Sequence, residues 1–156
     1  MIKHVEFLDK KIKKLLTNNS NMILTMPKVF EYYSAVKLTK RFDRQFYVYE
    51  DVFKYRKQNF NFPLKDHGID VTDLSLNSIA QCKYYSSSSY ITYGKLSTFL
   101  ASEKLVGKKL DFFLLRTEHS KLDCLVKKMI NRNDIIDIPI NNNEFLEYIN
   151  KICLPL

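Results

Sequence analysis

Asp66-His-Gly-Ile-Asp-Val-Thr-Asp-Leu74, then Ser75-Leu-Asn77, then Ser78-Ile-Ala-Gln-Cys-Lys-Tyr-Tyr85 decide the fold of this chain. Gly68 closes a loop, and the apolar and β-branched residues after it predict a short strand over 69–74. A second strand is expected over 78–85, with Ser75-Leu-Asn77 as the tight connection. Side chains two apart on a strand point to one face, so Gln81 and Lys83 project together. Pairing of the two strands sets Asp70 near them. A carboxylate, a side-chain carbonyl and an ammonium then converge. The oxygen ligands suit a hard cation such as magnesium, and the lysine puts positive charge where an attacking water or a developing phosphorane needs it.

Outward from this pair the periodicities alternate. Residues 2–16 carry Ile2, Val5, Leu8, Ile12 and Leu15 at near-helical spacing with lysines between, a basic amphipathic helix. A second helix is expected from Met26–Pro27, with Val29, Phe30, Tyr33 and Val36 as its apolar side. Phe46-Tyr-Val-Tyr-Glu-Asp-Val-Phe53 predicts a strand, and a loop through 59–67 contains Pro63. Beyond the central pair come a helix over 93–104 and a buried strand over 110–115. A helix started by Ser120 and Asp123, a strand over 135–140 and a helix from Asn143 complete the chain. This order predicts an α/β sandwich, a central mixed sheet covered by helices on both faces.

With 156 residues, 46% hydrophobic and 27% charged, the chain suits one soluble domain. No apolar run approaches the roughly 18 residues that cross a bilayer, and lysines interrupt the N-terminal apolar positions, so the expectation is an intracellular protein, not secreted and without a membrane partner. Cys82, Cys124 and Cys153 are widely spaced and read as buried or half-buried thiols rather than disulfides or zinc ligands. The net charge of +8 favours a polyanionic partner, nucleic acid foremost, although the Asn-, Lys-, Ile- and Tyr-rich composition of an AT-rich coding sequence inflates it.

Gly68-Ile69-Asp70 followed by Gln81-Cys82-Lys83 resembles the signature of the PD-(D/E)xK nuclease superfamily, in particular its Mrr-like branch. The resemblance implies a restriction-endonuclease-like three-layer sandwich with its core over about 26–130. Residues 1–20 and 134–156 then look like additions within a single domain, 1–156. By the same resemblance Phe30-Glu31 fits the helix glutamate of that superfamily. Asp70 would be the principal metal ligand, Gln81 a second through its amide oxygen, the Cys82 backbone carbonyl a third, and Glu31 would bind directly or through water. Lys83 would position the nucleophilic water and stabilise the transition state. The implied activity is hydrolysis of phosphodiester bonds in DNA with magnesium, manganese substituting. A homodimer would supply two active sites for double-strand cutting, and a helicase or other DNA-processing machine is a further expected partner.

Departures from the pattern matter. Ile69 replaces the proline, which carries no chemistry. Gln81 replaces an acid and lowers the negative charge available to a metal. Asp66 and Asp73 are rivals for the metal role, Asp73 on the opposite strand face and Asp66 only from the loop. A bland alternative has Asp70 capping a turn and Gln81 and Lys83 on an exposed strand face. A second functional alternative is an inactive nuclease-like module that binds DNA or a protein. Tyr84–Tyr93, rich in Tyr and Ser, reads either as a polar loop or as DNA contacts at the mouth of the site, Tyr85, Ser87 and Lys95 being the candidates. His119 has no histidine at metal-ligand spacing and reads as a loop residue. A phosphate loop of the Gly-x-x-x-x-Gly-Lys type and a Gly-x-Ser-x-Gly elbow are both missing from the sequence.

Overall fold

A computed structural model describes residues 1–18, 21–56, 68–85 and 88–153. The loop expected over 59–67, with Asp66, and Ser87 lie outside the described residues. Helices α1 (Ile2–Asn18) and α2 (Met22–Phe42) lead into strand β1 (Phe46–Val48) and helix α3 (Tyr49–Arg56). Strands β2 (Val71–Asp73) and β3 (Ser78–Lys83) follow, then β4 (Tyr90–Ile91), α4 (Tyr93–Leu100) and α5 (Ser102–Val106). The chain continues through β5 (Asp111–Thr117), β6 (Lys121–Leu122), α6 (Cys124–Asn131), β7 (Ile136–Ile140) and α7 (Asn142–Cys153).

Five strands form a mixed sheet in the order β1-β2-β3-β5-β7. The pairings β1–β2 and β2–β3 are antiparallel, β3–β5 and β5–β7 parallel. Alternate side chains of β5 serve two cores. Phe113 and Leu115 join α1, α2 and α7 through Leu8, Phe30 and Phe145. Phe112 and Leu114 face α3, α4 and α6 through Val52, Phe99 and Val126. Burial on both faces explains why 110–115 is an unbroken apolar run. The α/β class is thus as expected, a mixed central sheet flanked by helices. Arg116 and Asp137, on neighbouring parallel strands, form a two-pronged ion pair at 2.9 Å on both prongs.

Several elements differ from expectation. Only 46–48 of the predicted 46–53 strand is extended, and 49–56 is helical. Glu50 and Asp51 fall in the first turn of α3, where carboxylates oppose the helix dipole, and Tyr32 donates to Asp51 Oδ2 at 2.8 Å. Helix α2 starts a turn before Pro27 because Asn21 receives the opening bonds, its carbonyl accepting from Thr25 N at 3.2 Å. The 93–104 helix breaks at Ala101 and stops at left-handed Gly107. Ser120 does not cap a helix. Lys121–Leu122 instead pairs in parallel with Tyr90–Ile91, a two-stranded sheet that the sequence reading lacked. Asp123 is the true cap, accepting from Val126 N at 2.9 Å.

The segments read as additions contribute buried residues to the main core, Leu8 and Ile12 from α1 and Phe145 and Ile149 from α7. Ile2 is exposed on the outer side of α1. Cys82 is half-buried, as expected, whereas Cys124 and Cys153 are exposed, since each falls on the outer side of a surface helix; all three are free thiols. Among the described residues no helix is long and apolar enough to cross a membrane.

Candidate active site

Asp70 sits immediately before β2 and is held by its own backbone on two sides. Its N–H donates to Ala80 O at 2.9 Å, and its carbonyl accepts from Tyr49 N at 2.8 Å. The side chain reaches across to β3, where Oδ2 accepts from Cys82 N at 2.8 Å. The turn-capping alternative for Asp70 is therefore wrong. That role belongs to Asp73, whose Oδ1 accepts from Asn77 N at 2.8 Å while Oδ2 pairs with Arg44 at 3.0 Å. With both oxygens engaged, Asp73 drops out as a rival ligand.

Glu31 projects from α2 toward the same place. Burial is the main cause that lifts its carboxyl to about 7, and the charge of Asp70 adds to it, so the two acids lie within electrostatic reach. Asp70 rises to about 6 for the same first reason, against the opposing pull of the Cys82 amide, Lys83 and Lys28. Lys28, one helical turn before Glu31, bridges Glu31 Oε2 at 2.7 Å and Glu50 Oε2 at 3.1 Å. Burial and the nearby Asp70 and Glu31 charges also push the Cys82 thiol up, which keeps it protonated and unreactive.

Gln81 and Lys83 alternate with Ala80 and Cys82 on β3, so they share the face that looks toward α4. Gln81 is only 6% exposed, which rules out an exposed strand face, and its Oε1 finds no hydrogen-bond donor among the described residues. Lys83 is half-buried. Gly68 makes room for the amide. It adopts a left-handed φ of 73°, and a Cβ there would lie 2.9 Å from Gln81 Nε2 and 3.3 Å from Phe99 Cβ.

The oxygen atoms of Asp70, Glu31 and Gln81 are of the chemical type that a hard divalent cation takes. The charge of Asp70 disfavours that of Glu31, and the buried amide oxygen of Gln81, on the face toward α4, has no donor among the described residues. The set is poor in charge. Among the described residues no group of three or more His, Cys, Asp or Glu side chains stands close enough to hold a metal.

No protein-family model, curated protein or solved structure matches this chain.

Of the residues expected at the site, Glu31, Asp70 and Lys83 fall within one electrostatic neighbourhood, and Gln81 and Cys82 stand on the same short strand. Tyr85 and Lys95 lie together just beyond the strand, Lys95 Nζ being 5.3 Å from the Tyr85 ring centroid. His119 Nε2 donates to the Tyr85 carbonyl at 2.7 Å and so braces the loop. The sequence reading missed Lys28 and Glu50. The i,i+3 spacing of Lys28 and Glu31 was a readable signal. Glu50 was hidden by the strand assignment.

Proposed function

We propose that this protein is a magnesium-dependent nuclease that hydrolyses phosphodiester bonds in DNA, on a fold of the restriction-endonuclease-like kind. The observation that carries the reading is the half-buried Asp70 carboxylate, fixed by the Cys82 amide at 2.8 Å on the Gln81–Lys83 strand, with Glu31 of α2 within electrostatic reach. Magnesium or manganese, when bound, would supply a Lewis acid for the scissile phosphate. Asp70, Glu31, Gln81 Oε1 and the Cys82 carbonyl are the groups to hold it. Asp70 offers a ligand fixed by three hydrogen bonds. Lys83 supplies positive charge to the phosphate as negative charge develops on it during in-line attack by water, and its ammonium orients that water. The fold around the sheet half-buries both acids, which limits the screening of these charges by solvent.

A second reading has one observation in its favour. Gln81 stands where an acid would strengthen metal binding, and the carboxylates number two rather than three. The chain would then be a nuclease-like module that binds DNA, or a partner protein, without turnover. Supercoiled, linear and single-stranded DNA incubated with magnesium, manganese or chelator separates the two. Metal-dependent cleavage, abolished by Asp70→Ala and by Lys83→Ala with native-like circular dichroism, supports the nuclease. Salt-dependent DNA binding without cleavage in any metal supports the module. Cleavage by both variants at the wild-type rate refutes the site assignment. Homodimerisation and attachment to a helicase remain part of the proposal for double-strand cutting.

A further inference from the structure

We propose that Tyr90, Tyr93, Lys95 and Lys121 form a stacking platform for the unpaired bases of a single DNA strand, beside the candidate site. The inference deepens the nuclease reading by naming the form of its substrate, and rests on it only for the polymer being DNA.

The small sheet builds this surface. Tyr90 on β4 stands opposite Lys121 on β6 in parallel register, and Lys121 Nζ lies 5.5 Å from the Tyr90 ring centroid. Lys95, in the first turn of α4, repeats the arrangement over Tyr85 and also donates to the Tyr90 carbonyl at 2.7 Å. Tyr85 lies two residues beyond Lys83, so this chain of lysines and rings begins next to the candidate site.

Two large rings remain in water here, Tyr90 at 54% exposure and Tyr93 at 41%. The inner side of the same small sheet is Ile91, fully buried, so the sheet is anchored and the rings are held outward by a fixed backbone. Lys95 and Lys121 are exposed, while both oxygens of Asp123 accept backbone amides, Oδ1 from Val126 and Oδ2 from Tyr93. Glu118 accepts from Asn141 Nδ2 at 2.9 Å.

Exposed tyrosines flanked by lysines are the elements that sequence-tolerant single-strand binders combine, rings for base faces and ammonium groups for phosphates. In a duplex the base faces are already stacked and the rings have nothing to cover. A surface made for duplex phosphates would need the lysines but not the rings.

The test is fluorescence anisotropy of the full chain, in chelator, with a labelled 12-mer oligothymidylate, a 12-base-pair duplex and heparin as competitor. Chelator removes cleavage from the measurement. We expect the single strand to bind roughly tenfold or more tighter than the duplex. Tyr90→Ala and Tyr93→Ala should each weaken single-strand binding roughly tenfold. Tyr90→Phe should bind as wild type, because the ring rather than the hydroxyl makes the contact. Lys121→Ala should lower the slope of log affinity against log salt by about 0.7. Equal affinity for duplex and single strand, or single-strand binding untouched by Tyr90→Ala, overturns the platform. Cleavage of duplex with no single-strand preference would sink the platform and leave the nuclease standing. Single-strand binding lost in Tyr90→Ala, in a chain that never cleaves, would do the reverse.

Discussion

Asp70 and Cys82 are joined by a 2.8 Å hydrogen bond from the Cys82 amide to the Asp70 carboxylate, and this one contact ties the start of β2 to the middle of the Gln81–Lys83 stretch. It resists the rise in the Asp70 pKa that burial causes, yet does not cancel it.

A pH dependence follows from the acid pair. Glu31 at about 7 and Asp70 at about 6 lie above the ordinary carboxylate range near 4. Between these limits the native protein holds protons that the unfolded chain has released, so the pair favours the fold fully at low pH and progressively less as pH rises through about 6 and 7. His4 acts in the opposite sense, because burial lowers its pKa and its contribution is lost on acidification below about 6.5. Comparison with Asp70→Asn/Glu31→Gln cancels the His4 effect. In chelator, the melting temperature of wild type minus that of the double variant should fall between about pH 5 and pH 8, and millimolar magnesium should reverse the fall in wild type alone. A flat difference contradicts the assignment.

Gly68→Ala should cost about 1–2 kcal/mol through its left-handed backbone. It should reduce cleavage more than that loss implies, since the new methyl displaces the Gln81 amide. Adding Gln81→Ala removes the clash but not the backbone strain. The double variant should therefore regain only part of the melting temperature. Full recovery would show that the backbone conformation costs nothing.

Gln81→Glu adds a third acid to the candidate site, where Asp70 and Glu31 are half-buried. In chelator at neutral pH it should destabilise by about 1–3 kcal/mol, as a buried acceptor without a partner. With magnesium or manganese, its thermal shift should exceed that of wild type, because the added charge binds the cation more tightly. A smaller shift than wild type would remove Gln81 from the metal site.

Phe145→Ala should cost about 3–5 kcal/mol. The ring is fully buried and meets Phe30, Tyr33 and Tyr84 at centroid distances of 5.4, 5.0 and 5.8 Å. Denaturant unfolding measures this. A loss below about 1 kcal/mol would make α7 a peripheral addition after all.

How much of this was legible in the sequence depended on whether the signal was local. The hairpin of β2 and β3 was, because Gly68, the β-branched run and the Ser75–Asn77 turn all act within a few residues. The apolar run of β5 was legible too, since a strand covered on both faces leaves no alternation to confuse. The 46–53 segment misled because Tyr49, Val52 and Phe53 suit a strand by composition. The Tyr49 N–H still bonds Asp70 O in line with the β1–β2 pairing, and the chain turns helical from there, with Glu50 and Asp51 in the first turn. The β4–β6 pair was invisible because two-residue strands carry no period; it is held by backbone bonds from Lys121 N to Ser89 O and from Asp123 N to Ile91 O, over the buried Ile91. At the site, Asp70, Gln81 and Lys83 could be read from strand periodicity, and Glu31 came only from resemblance. The Lys28 bridge needed the α3 helix, which brings Glu50 to it.

Asp70 is bonded through three contacts, and each partner is a backbone atom: Ala80 O, Tyr49 N and Cys82 N. Substitution at those three positions changes side chains but leaves the bonds. The carboxylate is thus insulated from sequence drift in its immediate surroundings, and selection on its position acts through the pairing of the sheet. Little conformational freedom is left for Asp70 to lose when it captures a ligand.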